Sequence, residues 1–166
     1  MLINNMEGIM RTISHFVKSL LVLFGILVVF VASDILPTLA DQFVGMDAAL
    51  LPLKQPGLFL SEGLLFLLLL GLGVIFYMLL LFDRRAYFTR SFSGSLTILI
   101  ILCILADGLS LFLLGVLYFY GGPGPAASMF LVAAIFVITI LALVFLLLRQ
   151  IILRGKSIQD ENELTI

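Results

Sequence analysis

Asp107 stands about midway along an apolar run from Leu96 to Phe119, and no Lys, Arg or His shares its depth. A carboxylate at the centre of a bilayer costs about 2.5–3.5 kcal/mol on insertion scales. The surrounding Leu and Ile, each returning about 0.3–0.6 kcal/mol, offset that cost, so the run still inserts. Once inserted, the acid must be protonated, hydrated or hydrogen-bonded within the protein. Counting inward from the short Gly/Pro connection after Phe119 puts Thr139 of the next run near the same level, with Gly108 and Ser110 flanking the acid. The same count brings Gly25, Gly71 and Gly73 near mid-depth on the other two runs, a layer of small and polar residues where helices could approach closely or a small cavity could form. Asp107, Thr139 and Ser110 are therefore the candidate intramembrane polar site. It has two readings: a proton-coupled or ligand-sensing site, or one interhelical hydrogen bond that fixes packing and is worth roughly 0.6–2 kcal/mol.

The other reactive residue types are sparse. His15, near Lys18 and one turn past Arg11, could titrate near neutrality, but a lone interfacial histidine has no carboxylate partner identifiable at its depth. The single cysteine, Cys103, excludes an internal disulfide and a CxxC redox pair. No HxxxH, CxxC or ExxH spacing occurs, so no metal set is expected. Gly71-Leu72-Gly73 lies inside a leucine run and is a packing notch rather than a phosphate loop. The expectation is a protein that is not an enzyme, with no catalytic residues and no cofactor.

What must position Asp107 follows from composition. Of 166 residues, 63% are hydrophobic and 11% charged, against roughly 45–50% and about 25% in soluble domains. A soluble globular domain is excluded. Four runs reach the roughly 20 apolar residues needed to cross a hydrocarbon core about 30 Å thick: residues 13–33, 58–82, 96–119 and 129–148. The fold expected is all-α, a single membrane domain over residues 1–166 built as a bundle of four transmembrane helices.

Eight of the nine Lys and Arg residues lie before the first run or within its opening turns (Arg11, Lys18), between the second and third, or after the fourth. The exception is Lys54, set among Asp34, Asp41, Asp47 and Glu62. The positive-inside rule then puts both termini in the cytoplasm of a multi-pass cell-membrane protein. Val31-Ala32-Ser33 gives the first run a resemblance to a signal peptide, but an uncleaved helix is expected. The outer connection, 34–57, holds Pro37, Pro52 and Pro56, which argue against one continuous helix and leave room for a short amphipathic piece. Gly121-Gly122-Pro123-Gly124-Pro125 predicts a tight turn, with Tyr118 and Tyr120 at the headgroup level.

Two segments remain on the basic side. The inner connection, 83–95, combines Arg84, Arg85 and Arg90 with Tyr87, Phe88 and Phe92, as a topology determinant that anchors to anionic lipid or as a docking surface for a cytoplasmic partner. The tail, 149–166, turns from basic to acidic through Asp160, Glu161, Asn162 and Glu163 and ends on Leu164-Thr165-Ile166. A solvated, frayed end is the default for such a terminus.

That tail resembles the acidic Glu-Asn-Asp-Leu-Thr-Ile ending of a bacterial four-helix membrane family catalogued as domain of unknown function 2975. Tyr87-Phe88-Thr89 resembles its Pro-Phe-Thr motif, with Tyr87 where Pro is common and Glu163 replacing the usual Asp. The resemblance implies no established activity, and it implies frequent genomic pairing with a small helix-turn-helix regulator. The function expected from it is a non-enzymatic membrane sensor or regulator. It would bind a helix-turn-helix transcription factor through Arg84, Arg85, Phe88, Arg90 and the residues from Asp160 to Ile166, and would not itself contact nucleic acid. The alternative is a small transporter or immunity-type protein using Asp107, in which case four helices per chain would need to homo-oligomerise to enclose a polar route.

Overall fold

The computed structural model describes residues 2–46, 51–83, 89–119 and 124–163, with side chains described over 12–45, 51–83, 89–119 and 128–155. All of these elements are helical: α1 (Leu2–Phe30), a π-helical turn (Val31–Ile35), α2 (Leu36–Met46), α3 (Leu51–Asp83), α4 (Arg90–Phe119) and α5 (Gly124–Glu163). In an apolar solvent every backbone N–H and C=O must be satisfied within the chain, which is why such apolar runs become helices. Four helical stretches are long and apolar enough to cross a membrane: Thr12–Gly45, Leu51–Asp83, Arg90–Phe119 and Ser128–Gly155. The chain is an all-α, multi-pass membrane protein.

The helices run past the ends that hydrophobicity alone sets. The segment expected as an outer connection is helical over residues 34–46 and 51–57, and its amphipathic piece, α2, continues α1 instead of standing apart. Pro37 explains the joint. Its ring has no N–H and would press on the carbonyl of Ser33, four residues back; the widened turn just before it makes room, with the Leu36 N–H bonding to the carbonyl of Val31. Hydroxyls take up local carbonyls, Ser33 donating to Phe30 O (3.3 Å) and Thr38 to Asp34 O (2.7 Å). Pro52 and Pro125 each occupy the second residue of their helix, where the missing N–H would have had no intrahelical acceptor. Pro56 falls inside α3 and forfeits a single bond near its start. Thr89 caps α4, its Oγ1 accepting the Phe92 N–H at 3.4 Å. The tail expected to fray is helical through Glu163. The tight turn at residues 121–125 falls largely outside the described residues, with Gly124 and Pro125 opening α5.

Among the described residues the packing is serial: α5 lies along α4, α4 along α3, and α3 along α1, with the α4–α5 contact the most extensive and α1–α3 the slightest of the three. The core accordingly follows α4, where Ser95, Leu96, Leu99, Ser110 and Leu113 are buried. Their spacing of three, four and multiples of seven draws one stripe along the helix. On α5 the partly covered positions Leu131, Ile135, Ile138, Ala142, Phe145 and Arg149 alternate by four and three, the 3.5-residue period of a helix packed along a single neighbour. Between α3 and α4 the helices come near at Gly63, where a Cβ would meet Leu109 Cδ2 at 3.3 Å.

Candidate functional site

The register of α4 against α5 is marked by one polar contact. Thr139 Oγ1 donates to Asp107 Oδ2 at 2.9 Å, so the two residues that depth counting places at one level are joined. The other carboxyl oxygen, Oδ1, is buried and has no hydrogen-bond partner among the described residues. Ser110 lies three residues on along the same face of α4 and is 2% exposed; Cys103, four residues back, is partly covered. Positions 103, 107 and 110 stack on one helical stripe, so a thiol, a carboxyl and a hydroxyl line a strip whose buried members are otherwise Ser95 and leucines. Close approach, one of the two possibilities for the small residues at this depth, does not occur at the glycines. A Cβ at Gly25, Gly71, Gly73 or Gly108 would meet nothing within 4 Å, because these glycines lie off the seams and the close approach falls at Gly63 instead.

A second cluster, which the sequence reading missed, ties α1 to α3 at the basic end. Ser14 Oγ donates to Asp83 Oδ1 at 2.7 Å, and the Lys18 ammonium donates to Asp83 Oδ2 as an ion pair. Ser14 is buried and Lys18 largely covered. Asp83 is the last residue of α3, just past the apolar run 58–82. The Lys18 and then the Ser14 hydrogen bonds hold its carboxyl below the usual aspartate range, outweighing the opposing effect of burial, with smaller help from the charges of Lys18 and His15. The signal was present in the sequence. Ser14 and Lys18 are four apart, hence on one face of a helix, and Asp83 ends the run that an antiparallel neighbour would bring beside them. His15 itself is exposed.

At the opposite end Lys54 pairs with Asp41, joining α3 to α2. Lys54 thus takes one of the acids among which the sequence sets it. Arg149 sits in the α5 seam with its Nε buried and without a partner among the described residues. Of the docking residues, Arg90 opens α4 and is exposed. Asp160, Glu161, Asn162 and Glu163 lie on the last turns of α5, their side chains undescribed, and Arg84, Arg85, Phe88, Leu164 and Ile166 lie outside the described residues. No three His, Cys, Asp or Glu side chains among the described residues come together as a metal cluster.

Residues 38–166 match the model of a family described as a protein of unknown function, DUF2975. No curated protein matches the chain, and no solved structure does.

Proposed function

The chain belongs to the DUF2975 family of unknown function, and on that premise we propose that it is a non-enzymatic regulator of the cell membrane that holds a cytoplasmic helix-turn-helix protein against its basic end. Both termini are assigned to the cytoplasm by the clustering of Lys and Arg. The observation that carries the reading is the length of α5, 40 residues or about 60 Å, roughly twice the hydrocarbon thickness. Beyond Leu148 the helix continues for some 20 Å by the same rise per residue. That makes the acidic end a rod standing off the membrane, with Asp160 and Glu163 three apart on one face. A basic partner surface meets these carboxylates, Leu164 and Ile166 fill apolar notches, and Arg90 with the preceding arginines borders the dock.

The test is an affinity pull-down from detergent-solubilised native membranes, comparing the intact chain with one truncated before Asp160. Recovery of a small helix-turn-helix protein with the intact chain and its loss on truncation is the expected result. Recovery of nothing tail-dependent sinks the proposal.

A small transporter or immunity-type protein is the second reading, and the Asp107–Thr139 bond with its unpartnered Oδ1 favours it. In that case Asp107→Asn abolishes flux and the truncation leaves it intact.

A further inference from the structure

We propose that Asp107 is a reversible proton-binding site within the membrane, the proton residing on Oδ1 while Oδ2 keeps the Thr139 hydroxyl as its donor. Three observations lead there. Asp107 is the eighteenth residue of a 30-residue apolar helix, some 25 Å along the axis from Arg90. Its two oxygens stand in different surroundings: Oδ2 accepts a 2.9 Å hydrogen bond, and Oδ1 is shut away without a partner among the described residues. Ser110, nearly fully buried, and Cys103 extend the polar strip one turn to either side on the same face.

An ionised carboxyl is acceptor-only and can use several donors. Here it has the Thr139 hydroxyl for one oxygen and, among the described residues, nothing for the other, and an unpaired buried charge costs far more than its neutral form. A bound proton removes that charge at the oxygen that lacks a donor. It leaves the Thr139 bond in place, because the remaining carbonyl oxygen still accepts.

Among the described residues no basic group lies beside the site. On α4 itself Cys103 is the neighbouring titratable group on the same face. On α5 the nearest basic residue in sequence, Arg149, is ten residues along, about 15 Å by helical rise. On α3 the register fixed by Gly63 against Leu109 brings Glu62 to this depth, and it is exposed on the helix surface. Lys54 lies eight residues from Glu62 toward the start of α3, about 12 Å. The site is therefore built for a proton rather than for a permanent ion pair or a multidentate metal.

Infrared difference spectroscopy of the full-length protein in proteoliposomes tests this directly. On acidification a carbonyl stretch of a protonated carboxyl is expected to grow at the expense of a carboxylate band, and both are absent from Asp107→Asn. Thr139→Val keeps the acid and removes the hydrogen bond to its carbonyl oxygen, so the same band is expected at higher frequency. That variant decides the matter if Asp107→Asn fails to fold. A carboxylate band that persists through acidification, an acid band that never titrates, or a titrating band unmoved by Thr139→Val overturns the proposal. The measurement needs no partner protein, so its failure and the failure of the pull-down are separate results.

Discussion

The α4–α5 pair and the α1–α3 pair join long apolar helices by opposite means. Along α5 the partly covered positions recur with a coiled-coil period against a stripe of buried and partly covered residues on α4, and one hydrogen bond between Thr139 and Asp107 sits within that packing. Between α1 and α3 the described contact is slighter, and polar groups at the basic end, Ser14 and Lys18 on Asp83, hold the helices together. Most of α1 is open: Phe16, Leu23 and Ile26 are all more than half exposed. Lipid tails are as apolar as leucine, so burial alone does not drive helices together in a membrane and close packing must do it. Where packing is continuous the polar contact is an addition; where it is not, the polar contact is the attachment.

The largest expected effect therefore lies in the α4 stripe. Leu96 is 1% exposed, and Leu96→Ala leaves a cavity that neighbours only partly fill, costing about 2–3 kcal/mol, the lower part of the range for such truncations. Leu23, 63% exposed on α1, gives the control: Leu23→Ala changes stability by no more than about 0.5 kcal/mol. Unfolding by a denaturing detergent titrated into mixed micelles measures both. Equal losses from the two substitutions would mean that α1 is packed as tightly as α4, and the contrast would fall.

These differences bear on what a sequence shows. The four spans are legible because a bilayer demands about 20 apolar residues and little else imitates that. The Asp107–Thr139 level is legible because a short connection between antiparallel helices leaves depth counting few choices. The serial arrangement is not, since leucine facing lipid and leucine facing protein look alike. Nor are the helical extensions: Pro37, Pro52 and Pro56 argue for a loop, yet one is relieved by a widened turn and the others fall near a helix start, where a lost donor matters little. The Ser14–Lys18–Asp83 cluster needed knowledge of which helix α3 lies beside, and only the fold supplies it.

A smaller effect is expected at the polar contact inside the tight pair. Thr139→Val is close in shape and removes the hydroxyl, so the loss is that of one interhelical hydrogen bond in a membrane, about 0.6 kcal/mol and at most about 1.7. The same detergent titration reads it. A loss as large as that from Leu96→Ala would show the bond carrying the pair and the packing following from it.

The attachment of α1 should show least in global stability and most in geometry. The Asp83 carboxyl is held below the usual aspartate range by Lys18 and Ser14, so the contact is present in full above the ordinary aspartate value, about 3.9, and is lost as acid titrates the folded-state group below it. Spin labels on cysteines replacing Ile13 of α1 and Leu80 of α3, with Cys103→Ser removing the native thiol, report the separation of the two helix ends. A narrow distance distribution is expected from neutral pH down through the ordinary aspartate range, broadening only in stronger acid. Lys18→Met is expected to broaden it already near neutrality and to move the onset of acid broadening upward, because the ammonium is the first cause of the depressed titration. Asp83→Asn should remove the pH dependence altogether. If the distribution stays narrow in all three cases, α1 is held by packing after all and the two pairs of helices are joined in the same way.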